Sequence, residues 1–200
     1  MDKNANEQPS FFSTAEEAAG KGKNDLLAAL RQGVNLGFNR LTIENSQPGT
    51  PVKHYQITFD KLIAGGPNGT FSNLRQNEMA TVVPLVADSE IVTTVDVAKG
   101  EKGWRVASLA DGDIAEDLNL LEQVVGYGSK SKITIYNLPH SAMKVYGVEK
   151  DGVEVFHTSY PGFDITERVS AEPLLQALIR DAVELQSKYG EALKENKLVD

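Results

Sequence analysis

The chain has 200 residues, 40% of them hydrophobic and 24% charged, with a net charge of −8. That is ordinary globular composition, enough for one large domain or two small ones that need no disulfide or metal for stability. An acidic balance without a basic stripe argues against nucleic acid and anionic lipid as partners, and the lack of cysteine excludes a thiol nucleophile, a CxxC redox pair and a cysteine zinc site.

No apolar run approaches the roughly 18 residues of a transmembrane helix. Residues 1–12, opening "MDKNANEQPS", read as a flexible polar tail. A tail of this kind suits a chain released or tethered just after a signal or lipid-anchor segment, so the expected location is exported, periplasmic or outer surface. A cytoplasmic location is the alternative. Residues 13–200 then form a single α+β domain, which also divides into two hairpin-plus-helix blocks at 79–126 and 131–190.

A helix is expected from Ser13, because "STAE" sets Glu16 three residues on, at capping-box spacing. Leu26, Leu27 and Leu30 continue one apolar stripe to Gly33, while Gly20 and Gly22 weaken the middle. "VNLGFNRLTIENSQPGTP" reads as short β-like runs between turns, "VKHYQITF" (52–59) as a strand and "AGGPNGT" (64–70) as a loop. "MATVVPLVA" (79–87) is a strand in which Pro84 marks an edge or a bulge. "EIVTTVDVA" (90–98) puts Ile91, Thr93, Val95 and Val97 on one face, and "GWRVASLA" (103–110) follows after a turn. "DIAEDLNLLEQVVG" has helical spacing up to Gly126. "KITIYNL" (132–138) is a strand, and 142–160 is a hairpin turning on Asp151-Gly152. Ser170 caps a C-terminal helix whose stripe runs through Leu174, Leu178, Ala182, Leu185 and Tyr189. The fold class is therefore α+β: hairpin-connected antiparallel strands with an N-terminal, a central and a C-terminal helix packed on them.

Five acids between Asp111 and Glu122 resemble a calcium loop only until the ligand positions are counted. Position 5 is Ala115 and position 6, where the turn glycine belongs, is Glu116. The bland reading is a helix capped by Asp111 or Asp113, with Glu116 completing the box. His54, His140 and His157 lack helical zinc spacing, so no metal is expected. "GYGSKSK" (126–132) lacks P-loop spacing, and no nucleophile elbow occurs. "NGT" at 68–70 matches a glycosylation acceptor or is simply a turn.

Aromatic residues gather late in the chain, and Tyr146, Phe156 and Tyr160 share strand parity within their strands. Tyr136, Tyr146, His157 and Tyr160 are therefore the candidate binding residues, against the alternative that this is ordinary core where sheet meets helix. The helix from Ser13 to Arg31, followed by antiparallel strands and the "GW-x-V" strand of Gly103, Trp104 and Val106, resembles cystatin-like and NTF2-like α+β domains. It also resembles, more loosely, uncharacterised exported bacterial proteins and lipoproteins. The two further helices depart from that pattern, and no family site motif is present to carry a residue role across.

The leading functional expectation is a non-catalytic exported or surface-tethered domain that binds an unknown protein or small ligand without a cofactor. The first alternative is a small-molecule hydrolase or isomerase using His157, Tyr136 and Asp96 in a concave sheet face. The second is a cytoplasmic structural or dimerisation domain using the C-terminal helix. No motif fixes the oligomeric state.

Overall fold

The computed structural model describes residues 10–66, 69–109, 112–125, 132–138, 141–150 and 152–194. The fold is α+β, with eight strands of a mostly antiparallel sheet and six helices among the described residues. The chain divides into two compact units, Met1–Lys53 with Met79–Gln123, and His54–Glu78 with Val124–Asp200.

The first unit opens with helix α1 (Ala15–Arg31), one residue later than the capping-box reading places it. Thr14 is the N-cap and accepts from the Glu17 N–H (3.1 Å), while the Glu17 carboxylate accepts from the Ser13 N–H (3.0 Å). "FSTAEE" offers two overlapping boxes. The choice between them follows from Phe12, which exchanges two backbone hydrogen bonds with Trp104 (2.8 and 2.9 Å) and so keeps the chain extended up to the helix. Gly33, at φ +82°, ends the helix. Gly20 and Gly22 do not fray it. Gly22 is buried, and a Cβ there would lie 2.6 Å from a methyl of Val95, so this glycine sets how closely α1 approaches the strands.

Helix α2 (Arg40–Asn45) corrects the β-like reading of that segment. Asn39 caps it through the Leu41 N–H, and the Lys23 ammonium donates to the carbonyls of Glu44 and Ser46 at its C-terminal end. Strand β1 (Gln47–Pro48) pairs with β3 (Arg75–Ala87), which starts four residues earlier than expected and bulges after Leu85, next to the anticipated Pro84. β4 (Glu90–Gly100) and β5 (Gly103–Leu109) complete an antiparallel meander. Ala15, Ala18, Ala19, Leu26 and Leu27 of α1 pack with Ile43, Val83, Leu85, Val95 and Val97.

Helix α5 (Gly112–Val125) starts at Gly112, which puts Asp113 inside its first turn and not at the cap. Asp111 lies outside the described residues. Asn119, on this helix, accepts from the Ile91 N–H (2.8 Å) and donates to the Ile91 carbonyl (2.7 Å), tying the helix to the start of β4. Strands β2 (Val52–Ile57) and β3 each contribute residues to both units.

In the second unit, β2 leads into the short helices α3 (Phe59–Gly65) and α4 (Phe71–Leu74), neither of which the sequence reading anticipates. β6 (Lys132–Asn137), β7 (Lys144–Lys150) and β8 (Val153–Thr158) form a second antiparallel meander. Its last connection has two residues, with Gly152 at φ +80°. Helix α6 (Ala171–Lys194) follows Ser170 directly. Leu174, Leu175, Leu178 and Ala182 cover one sheet face, Leu185 is half-buried and Tyr189 stands exposed, so the apolar stripe fades towards the helix end.

Candidate functional site

The register of the second meander divides the four residues singled out by the sequence. Tyr136 pairs with Val145, Gly147 with Phe156, and Tyr146 with His157. Side chains alternate along a strand, so Tyr136, Val145 and Phe156 share one face, and Tyr146 and His157 share the other. Tyr160 belongs to the first group, where it joins the cluster beneath α6. The expected wall of Tyr146, Phe156 and Tyr160 is thus split between two faces. His157 and Tyr136, paired in the enzyme reading, point away from each other. His140 lies outside the described residues.

On the first face the rings of Tyr55, Phe71, Tyr136 and Phe156 pack together, Phe71 lying 4.5 Å from Phe156 and 5.2 Å from Tyr136 between centroids. The Tyr136 hydroxyl donates to the Glu154 carboxylate at 3.2 Å, passing over Gly147. A Cβ on Gly147 would stand 2.5 Å from that carboxylate oxygen, so the glycine makes room for the bond. Burial, reinforced by the negative charge of Glu154, holds the Tyr136 hydroxyl protonated well above the usual tyrosine range. Burial and a 2.8 Å bond to Asp181 do the same for Tyr160. Both phenols are hydrogen-bond donors, neither poised to act as a base near neutral pH.

On the second face His157 is fully buried. Its Nδ1 lies 2.8 Å from the Ile165 carbonyl, which can only accept, so Nδ1 carries the hydrogen. Nε2 has no hydrogen-bond partner among the described residues. Burial pushes the imidazole below its ordinary pKa, the carbonyl bond opposes this in part, and Arg168 adds a smaller downward push. Asp96, in the first unit, accepts from the Ser108 hydroxyl at 2.8 Å. Among the described residues no group of three His, Cys, Asp or Glu side chains is arranged to hold a metal ion.

Polar groups converge in concave surface elsewhere. Between α3 and α4 lies a cleft of about 310 Å³ lined by Lys61, Ala64, Gly65, Gly69, Asn73 and Leu74. The α3 helix presents Lys61, whose ammonium donates one hydrogen bond to the Arg75 carbonyl (3.0 Å) and keeps two further N–H groups. Thr70 caps α4 through the Asn73 N–H and so fixes where Asn73 stands. The Arg75 guanidinium itself sits 4.8 Å over the Tyr55 ring, and neither residue lines the cleft. The wall is apolar, from Ala64 and Leu74. Such an arrangement can seat a short apolar body and pair an anionic end with ammonium and amide donors.

Sequence reasoning missed this cleft because it sits on two short helices flanking what reads as a glycine loop. The one available signal was the pair Thr58-Phe59 and Thr70-Phe71, each a β-branched hydroxyl residue at an N-cap position followed by an aromatic. Comparison with known proteins finds no matching family model, no matching curated protein and no matching solved structure.

Proposed function

We propose that the protein is a non-catalytic binding domain whose ligand enters the α3–α4 cleft with an anionic group directed at Lys61. The cleft is the observation that carries this reading. It is concave, apolar on one side, and brings Lys61 and Asn73 into one lining. Asp60 is the acidic neighbour in the first turn of α3 and lies outside the cleft lining. An exported or surface-tethered location belongs to the same proposal and is supported by the polar composition of residues 1–12.

Calorimetric titration with a short-chain carboxylate such as butanoate, and with the uncharged butanamide, tests the reading. Butanoate is expected to bind, and butanamide or the Lys61→Gln variant to bind about tenfold or more weakly, the worth of one charge-assisted hydrogen bond. Equal affinity for acid and amide, or for wild type and Lys61→Gln, would contradict it.

A further inference from the structure

Residues 159–170 run as a strap around the outer edge of β8, tied down at four places. The Tyr160 N–H donates to the Thr158 hydroxyl (3.1 Å), and the Tyr160 hydroxyl reaches Asp181. Val169 exchanges two backbone hydrogen bonds with Phe156 (2.9 and 3.0 Å), closing the edge of the sheet. Between these, the Ile165 carbonyl accepts from His157 Nδ1. Tyr160, Phe163 and Val169 pack on the aromatic cluster of the first face, whereas Ile165 bonds the histidine of the second face, so the strap reaches both.

We propose that His157 is an acid-sensitive latch: neutral, it holds the strap over the edge of β8, and protonated, it releases the strap and opens that edge for pairing. A proton can add only at Nε2, which is buried and meets no acceptor among the described residues. The charged and titratable groups around it do not compensate. Tyr146 stands directly opposite on β7, with Lys144 on the same face one step along. His54 shares that face, because Gln56 two residues along β2 accepts from Asn137 of β6. From the strap, Arg168 contributes like charge. Glu167 is exposed, and Asp164 is engaged by the Thr166 N–H and hydroxyl (2.8 and 2.7 Å). An imidazolium at this place is unpaired and desolvated, and detaching the strap is the local opening that lets water reach it.

The sign follows from linkage. The closed strap holds the imidazole below its ordinary value of 6.5, so closed and open states bind protons alike above that pH. Below 6.5 the open state takes a proton that the closed state refuses, and strap stability falls with pH until the closed-state pKa is passed. Asp164 does not confuse the window, because its bonds to Thr166 hold its pKa below the usual carboxylate value.

Amide hydrogen exchange, corrected for intrinsic rates, tests the latch on the full chain at pH 7.5 and pH 5. In the wild type the Val169 and Glu167 amides are expected to lose protection by about tenfold on acidification, while α1 amides do not. His157→Asn keeps a donor for the Ile165 carbonyl without a titratable ring, and its strap is expected to be equally protected at both pH values. Acid loss of equal size in His157→Asn overturns the proposal. Should that variant fold poorly, the wild type decides alone: acid loss spread evenly over α1 and the strap, or no loss in the strap, overturns it too.

Discussion

The two units solve the same problem, a three-stranded meander under a helix, with different chemistry. In the first, α1 is laid on the strands through Ala15, Ala18, Ala19 and Gly22, and contact is made by the absence of side-chain bulk. In the second, α6 covers rings whose polar atoms are matched individually, Tyr136 to Glu154 and Tyr160 to Asp181, while on the opposite sheet face His157 is matched at Nδ1 to Ile165. Small-residue packing depends on volume and is indifferent to pH. Matched polar groups in low dielectric make stability depend on protonation, and His157 Nε2, buried without a hydrogen-bond partner among the described residues, marks a place where that dependence is sharp.

The largest effect expected from breaking this contrast lies in the first unit. Gly22→Ala improves helix propensity, yet the added methyl would meet Val95 at 2.6 Å and Leu109 at 3.1 Å. A net destabilisation of about 1–3 kcal/mol is expected in denaturant melts, independent of pH. A stabilised Gly22→Ala protein would show that close approach does not set the packing of α1.

In the second unit, Tyr136→Phe removes the bond to Glu154 and is expected to cost about 1 kcal/mol at pH 7. It also changes the alkaline limb. Tyr136 is held protonated in the folded state, so its contribution is complete below the unfolded value of 10.0 and is lost as pH rises beyond it. Stability of the wild type should therefore fall above pH 10 more steeply than that of Tyr136→Phe, and parallel curves would refute the assignment.

The smallest effect is the control for the first. Gly20 lies two residues from Gly22 in the same helix, but a Cβ there meets nothing within 4 Å. Gly20→Ala is expected to stabilise by about 0.5–1 kcal/mol, the helix propensity difference alone. Opposite signs for Gly20→Ala and Gly22→Ala sharpen the contrast, and equal signs erase it.

Much of the fold was legible. The alternation in 79–87 and 90–98 marks β3 and β4 even though their turn, Asp88-Ser89, takes positive φ at both residues without a glycine. The C-terminal helix follows from its stripe. The short helices α2, α3 and α4 were not legible, because four to seven residues carry too little periodicity and their formation depends on tertiary partners such as Lys23 on α2. The split of the aromatic residues was within reach. A two-residue turn at 151–152 places Tyr146 opposite His157, since a hairpin's register follows from its turn. Parity within each strand, without that register, put the residues on one wall. The α3–α4 cleft was out of reach, because Lys61 and Asn73 carry no motif and meet only through folding.

The proposal that an anionic ligand binds the α3–α4 cleft of the second unit is tested most directly by residue-resolved NMR during a butanoate titration. Shift changes are expected to cluster at Lys61, Gly69, Asn73 and Leu74 and to vanish in Lys61→Gln. Changes centred on the first unit, on β5 or α1, would contradict the account, as would a cluster at the cleft that survives in Lys61→Gln.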